Sequence, residues 1–129
     1  MTQVKIYGQR DVLAPLRTEM SDVVHAAAVE VLGLPESKRF HRFFPMAPED
    51  FPVPEGRTER YTIIELLMFE GRLALTKKAF YARLYADFEA QLGIEAVDLE
   101  VTIVETPRHD WAIRGTAGDE LELNYEVEQ

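Results

Sequence analysis

The strongest constraint on the fold is an internal repeat with a shift of 60 residues. The paired positions are apolar in both copies, and each copy carries an LG-type turn at the same place. These pairs are Val4 with Ile64, Ile6 with Leu66, Met20 with Phe80, Val24 with Leu84, and Leu32-Gly33-Leu34 with Leu92-Gly93-Ile94. A unit of this size accommodates one strand, one helix and a second strand. The chain is therefore predicted to use one β-α-β unit twice.

The first copy has the three elements in order. Val4–Tyr7 is a short apolar segment that ends at Gly8 and predicts a strand. Apolar residues at three- and four-residue steps predict a helix over Leu13–Leu32, with Pro15 in its first turn. The aromatic-rich segment Arg39–Phe44, closed by a proline, predicts the second strand.

The second copy repeats this order. Tyr61–Phe69 is almost continuously apolar, which predicts a central strand covered on both faces. Apolar residues then recur every four positions until Gly93, which predicts a second helix. The segment Val97–Ile103 alternates apolar and polar residues and predicts the fourth strand.

These elements define a single α/β (α+β) domain over residues 1–129. It comprises a β-α-β unit at 3–45, a proline-rich loop at 46–60, a second unit at 61–105 and a carboxy-terminal arm at 106–129. Because β-α-β crossovers are right-handed, both helices should lie on one face of a four-stranded sheet. We expect copies of the chain to cover the other face, and the alternation in 121–127 predicts an arm that extends a neighbour's sheet.

Composition narrows the classes of function. The chain has no cysteine, no apolar run of membrane-spanning length and no leader-like start, so we expect a soluble cytoplasmic protein away from the membrane. A net charge of -9, from 23 acids and 14 bases, disfavours nucleic-acid binding. No histidine has a partner at metal-ligand spacing, and nucleotide-binding loops and a serine-hydrolase elbow are absent, so we predict no metal and no cofactor.

Three stretches carry a resemblance to a known family: LGLPESKRFHRFFP, YTIIELLMFEGR and ETPRHDWAIRG. With the repeat, they resemble the tautomerase superfamily, and within it the long-chain branch that includes malonate semialdehyde decarboxylase. The resemblance covers essentially the whole chain. It implies a homotrimer with a small pocket at the start of the first strand, which binds an anionic carbonyl acid without any cofactor.

The resemblance also implies where the site residues lie. In that family an amino-terminal proline acts as base or acid, and this position is Thr2 here, preceded by Met1. Lys38 stands where the decarboxylase pattern has an aspartate, and Glu70 where it has the first of two arginines. Arg72 keeps the second arginine. The positions that the resemblance or the local charge pattern assigns to substrate binding are Lys38, Arg42, Glu70, Arg72, Trp111 and Ile113.

Two hypotheses about function follow. The first is a tautomerase-like enzyme in which the amine of Thr2 or the side chain of Glu65 replaces the proline, while Arg72 binds the substrate carboxylate. The second is a trimeric binding or assembly module that keeps the fold without the chemistry. Each residue also has a structural interpretation: Arg72 as a surface residue at a helix start, Glu65 in an ion pair across the trimer, Trp111 in packing, and Lys38 and Arg42 paired with carboxylates.

Overall fold

The computed structural model describes residues 2–122. Within them the chain forms two long helices, a four-stranded sheet and a short hairpin. The elements are β1 (Thr2–Gln9), α1 (Arg10–Leu32), β2 (His41–Met46), β3 (Thr62–Phe69), α2 (Ala74–Asp87, continued by a π-helical turn at Phe88–Leu92), β4 (Leu99–Thr106), β5 (Ala112–Ile113) and β6 (Thr116–Ala117).

The strand order in the sheet is β2-β1-β3-β4. β1 runs parallel to β2 and β3 parallel to β4, whereas the two central strands are antiparallel. The two β-α-β units therefore lie side by side, as the sequence repeat predicts. Lys5 pairs with Glu65 across the central strands. These two positions are also equivalent in the repeat, so a pseudo-twofold axis passes between them.

Helix α1 begins earlier than the sequence predicts. It starts at Arg10, so Pro15 lies inside the helix rather than in its first turn, and that prediction is wrong. Proline has no N–H to donate to the preceding turn. Burial of the apolar face of α1 in the core offsets the lost hydrogen bond, and Met20 and Val24 on that face are fully buried. The helix ends at Gly33, whose φ of 72° is in the left-handed region that glycine adopts readily.

Within a single chain, strand β3 is covered on one face only. Ile64, Leu66 and Met68 are fully buried beneath the helices. The residues between them, including Ile63 and Glu65, are half-buried on the opposite face. Both helices pack on the same side of the sheet, as the right-handed crossovers predict, and cover of β3 on its second face by a neighbouring copy stays a prediction. We call the other side the open face.

The loop between β2 and β3 is ordered against its own domain. Phe51 is buried, and its ring lies 5.5 Å from that of Tyr61. The buried carboxylate of Asp98 accepts hydrogen bonds from the backbone N–H and the hydroxyl of Thr58, at 2.8 and 2.6 Å. These contacts join the loop to the turn before β4.

The chain after β4 forms the β5–β6 hairpin. Most of the carboxy-terminal arm predicted at 121–127 lies outside the described residues. In the part of the chain that is described, none of the helices has the length and apolar character needed to cross a membrane.

Candidate active site

The segments that carry the predicted site residues meet at the amino-terminal end of β1. Thr2 pairs with Met68 at the end of β3, and Met68 pairs with Glu105 at the end of β4. On the other side, Val4 donates its backbone N–H to the carbonyl of Phe40, just before β2. The chain before β2 and the chains after β3 and β4 therefore converge on one edge of the sheet.

A cleft of about 280 Å³ opens at this edge. It lies beside β1 and β3 and against the turn that follows β4. Its lining residues are Gln3, Leu67, Thr106, Asp110, Trp111 and Ala112. The size suits a small metabolite, and the lining combines an aromatic wall with a few polar groups, as small-molecule sites usually do.

Trp111 forms a fixed wall of the cleft. Its indole N–H donates to the Thr106 hydroxyl at 2.7 Å. Its ring packs edge-on against Phe69, with centroids 5.3 Å apart and an interplanar angle of 83°. The Arg108 guanidinium lies 5.3 Å from the centre of the same Phe69 ring and donates to the carbonyls of Gly118 and Leu121. The indole is thus held by its hydrogen bond to Thr106, by the Phe69 ring and by the turn that Arg108 closes through its bonds to Gly118 and Leu121.

The turn between Arg108 and Leu121 depends on the glycine at position 118. Its backbone N–H donates to the carbonyl of Trp111 at 2.7 Å. A Cβ at this position would lie 2.2 Å from the carbonyl oxygen of Arg108, a distance at which the backbone would have to move. Any larger residue at position 118 would therefore displace the wall of the cleft.

The side chain of Thr2 does not point into the cleft. Alternation along β1 directs Thr2 to the helix-covered face and Gln3 to the open face. Thr2 is 4% exposed, and its hydroxyl oxygen has no hydrogen-bond partner among the described residues. Only the backbone at position 2 therefore lies next to the cleft.

Arg72 is a buried residue, 5% exposed, just before α2. Its Nη2 donates to the carbonyl of Leu32 in the last turn of α1 at 3.2 Å. That turn has no basic residue of its own. A cation there interacts favourably with the negative end of the helix dipole. The structure therefore gives Arg72 a structural contact that the sequence did not reveal.

Three other predicted site residues near this edge differ in how far their side chains are exposed to solvent. Lys38 is half-buried just before β2, and its backbone N–H donates to the carbonyl of Pro35. Glu70 is exposed, and its backbone N–H donates to the carbonyl of Thr106. Ile113 is half-buried in β5. All three belong to segments that reach this edge, but none of them is among the lining residues of the cleft.

Glu65 and Arg42 lie away from this edge. Both are on the open face, where each is the register partner of Lys5 on β1. Glu65 is three positions along β3 from Met68, which is roughly 10 Å at the usual rise of a strand. The Tyr7 hydroxyl donates to Glu65, and burial followed by this hydrogen bond raises the pKa of Tyr7.

Sequence reasoning missed five of the six lining residues: the polar Gln3, Thr106 and Asp110 and the apolar Leu67 and Ala112. Asp110 is the only ionisable group among the six, and its carboxylate lies 3.5 Å from Nε2 of His109. The resemblance at Asp110-Trp111 suggested only Trp111 as a site residue, although Asp110 also lines the cleft. Across residues 2–122, no group of three or more histidine, cysteine, aspartate or glutamate side chains is placed to hold a metal ion.

A duplicated β-α-β domain with a small cleft beside the start of its first strand defines the tautomerase class. The sequence profile of the tautomerase enzyme family matches residues 38–114, and the chain belongs to this family. Membership and fold together support a tautomerase-like function.

The chain is similar to several known proteins. It is 29% identical over 99 residues to "Probable tautomerase YrdN" of Bacillus subtilis (strain 168), covering 73% of this chain and 76% of that protein. The structure of FG41 malonate semialdehyde decarboxylase inhibited by 3-bromopropiolate shares 28% identity and a TM-score of 0.77, covering 85% of this chain and 87% of the other. Native fused 4-OT shares the fold, with 17% identity, a TM-score of 0.81 and coverage of 92% and 98%.

Proposed function

We propose that this protein is a tautomerase-like enzyme that catalyses keto-enol isomerisation of a small carbonyl acid without a cofactor. The observation that carries this proposal is the cleft with the Trp111 wall beside the start of β1, in a chain of the tautomerase family. The small volume favours a compact substrate, and the aromatic wall favours one with a planar conjugated enol.

The base that moves the proton is proposed to be the amine of Thr2, exposed by removal of Met1. The backbone at position 2 adjoins Gln3, which lines the cleft, whereas the Thr2 hydroxyl faces the helices. An α-amino group has an ordinary pKa of about 7.7–8.0, so part of it is unprotonated at neutral pH. Glu65 is the second candidate, and its distance along β3 makes it the weaker one.

The substrate carboxylate is proposed to bind at the cationic positions of this edge. Arg72 is the first choice by resemblance, although its bond to Leu32 directs part of the guanidinium towards α1. Lys38 reaches the same edge from the chain before β2. Arg42 lies on the open face, where it adds positive charge, and Glu70 and Ile113 belong to segments that reach this edge.

Self-association as a trimer is part of the proposal. The open face leaves Phe44 and Val104 exposed on the two edge strands, 38% and 44% respectively. Apolar side chains of this kind are commonly covered by a neighbouring copy. Three fused 4-OT structures that share the fold are described as trimers. The acidic, cysteine-free composition supports a cytoplasmic location.

The second candidate is a trimeric binding module without catalysis. The observation that favours it is the environment of the family positions: Arg72 is buried against α1, Glu70 is exposed, and threonine replaces the terminal proline. Under this candidate the cleft binds a small carbonyl acid and releases it unchanged.

Restoring a terminal proline tests whether an amine at position 2 can act on a substrate in the cleft. Thr2→Pro gives a secondary amine once Met1 is removed, and proline is tolerated at the first residue of a strand. We expect the rate of phenylenolpyruvate ketonisation, followed by ultraviolet absorbance, to rise at least tenfold over that of the natural chain. Intact mass must show that Met1 is absent, and Thr2→Ala is the matched control because it keeps a primary amine.

The cleft is tested independently of the base. Trp111→Ala should lower kcat/KM for phenylenolpyruvate and 2-hydroxymuconate by tenfold or more, whereas Val97→Ala, at an exposed position, should change neither. If the natural chain turns over these substrates no faster than buffer, the enzymatic proposal is wrong, even where Thr2→Pro is active. Binding of the substrates without turnover, measured by calorimetry, then supports the module.

A further inference from the structure

The lining of the cleft beside β1 carries a negative charge and no positive one. Three of its six residues are polar, namely Gln3, Thr106 and Asp110, and Asp110 alone is ionisable. None of the six, all of them within residues 2–122, is a lysine, an arginine or a histidine. An ionised carboxylate accepts hydrogen bonds but cannot donate them. A second anionic group in this cleft would therefore meet a like charge and no cation among the lining residues.

A short turn after β4 holds Asp110 at the cleft. The backbone N–H of Asp110 donates to the carbonyl of Pro107 at 3.0 Å, and that of Trp111 donates to the carbonyl of Arg108 at 3.1 Å. The side chain of Asp110 is 53% exposed. Its charge therefore lies near the protein surface, where the effective dielectric constant is about 20 rather than that of bulk water.

The charged groups near Asp110 are engaged elsewhere or are charged only in part. The Arg108 guanidinium is directed at two backbone carbonyls and an aromatic ring. Lys77, which reaches the end of β4, is paired with Glu105. Nε2 of His109 lies 3.5 Å from the Asp110 carboxylate, but an imidazole offsets a negative charge only when it is protonated.

We propose that Asp110 restricts the cleft to monocarboxylates whose other end is uncharged. This inference rests on the proposed function, in which one substrate carboxylate binds at the cationic positions of the same edge. The rest of the molecule then lies against Leu67, Trp111 and Ala112, which favour an apolar or aromatic group. A second carboxylate at that end would lose hydration and be repelled by Asp110, and both effects weaken its binding.

Phenylenolpyruvate and 2-hydroxymuconate test this selection, because the first carries one carboxylate and the second carries two. The variant Asp110→Asn keeps the size of the side chain and removes its charge. We expect the ratio of kcat/KM for 2-hydroxymuconate to kcat/KM for phenylenolpyruvate to rise about tenfold in this variant, at low ionic strength and about pH 8. At that pH an ordinary imidazole is uncharged and leaves a neighbouring carboxylate unopposed.

Asp50 provides the matched control. It is the equivalent of Asp110 in the 60-residue repeat, it is exposed, and its backbone N–H donates to the carbonyl of Ala47 at 2.9 Å in the same kind of turn. It follows the end of β2 and so lies at the opposite end of the sheet from the cleft. Asp50→Asn removes the same charge from the chain and should leave the ratio of the two kcat/KM values unchanged.

The salt dependence separates charge from shape. In 1 M potassium chloride the Debye length is about 3 Å, so the change of ratio in Asp110→Asn should shrink from about tenfold to less than threefold. A tenfold change that persists in 1 M salt would assign the effect to the shape of the side chain and overturn the proposal.

Selection and turnover can fail separately. If the natural chain binds both acids without turning them over, the isomerase proposal is wrong, and dissociation constants from calorimetry then carry the test of selection. Asp110→Asn should bind 2-hydroxymuconate about tenfold more tightly relative to phenylenolpyruvate than the natural chain does. An unchanged ratio in Asp110→Asn, by kinetics or by calorimetry, overturns the inference, and so does the absence of binding of either acid to both proteins.

Discussion

Arg72 shows how one buried cation can serve the fold and a site at the same edge. Its Nη2 reaches the carbonyl of Leu32, at the end of a 23-residue helix without a basic residue in its last turn. The contact joins the second β-α-β unit to the helix of the first. The sequence motif identifies position 72, but the burial of Arg72 becomes evident only in the folded chain, where the two β-α-β units pack together.

We expect Arg72→Ala to lower the free energy of unfolding by about 2–3 kcal/mol, because it removes a charge-assisted hydrogen bond and a favourable helix-dipole interaction. Urea denaturation followed by circular dichroism measures the change. Lys78→Ala, at an exposed position on α2, should stay within about 0.5 kcal/mol of the natural chain. An unchanged stability together with a raised KM would instead assign Arg72 to substrate binding alone.

At the scale of elements, a buried carboxylate holds one end of the loop from residue 46 to residue 60. Asp98 is 2% exposed, and both of its oxygens accept hydrogen bonds from Thr58. These bonds connect the loop to the turn that begins β4. The sequence predicts a proline-rich loop here, while the carboxylate that contacts it lies 40 positions further along the chain.

Asp98→Ala should release this loop. The loss leaves the Thr58 N–H without its acceptor, which should cost about 1–3 kcal/mol. We expect trypsin to cleave after Arg57 or Arg60 at least fivefold faster than in the natural chain, as followed by mass spectrometry. Asp119→Ala, at an exposed position, is the control. Equal cleavage rates in Asp98→Ala and the natural chain would show that the loop is held by other contacts.

At the scale of the whole molecule, the open face is the surface through which we propose that copies assemble. Phe44 and Val104 occupy positions that are equivalent in the 60-residue repeat, one on each edge strand. Phe44 also stacks on Tyr7, with ring centroids 4.8 Å apart. The pseudo-twofold symmetry therefore places two similar apolar side chains on the open face.

A charge on this face should prevent assembly. We expect the natural chain to sediment as a species of about three times 14.8 kDa, and the double variant Phe44→Glu, Val104→Glu to sediment as a monomer, since burying unpaired carboxylates is unfavourable. Val97→Glu, at an exposed position in the turn before β4, should leave the mass unchanged. A natural chain that sediments as a monomer at micromolar concentration would refute the trimer.

The sequence by itself determined the repeat, the order of strands and helices, and the glycines that end both helices. These features are local or periodic, so they can be inferred from residue spacing. Only the tertiary structure decided that Thr2 points away from the cleft while Gln3 and Asp110 line it, and that Arg72 contacts α1. Each of these depends on which face of the sheet the helices cover and on contacts between residues far apart in the chain, and residue spacing encodes neither.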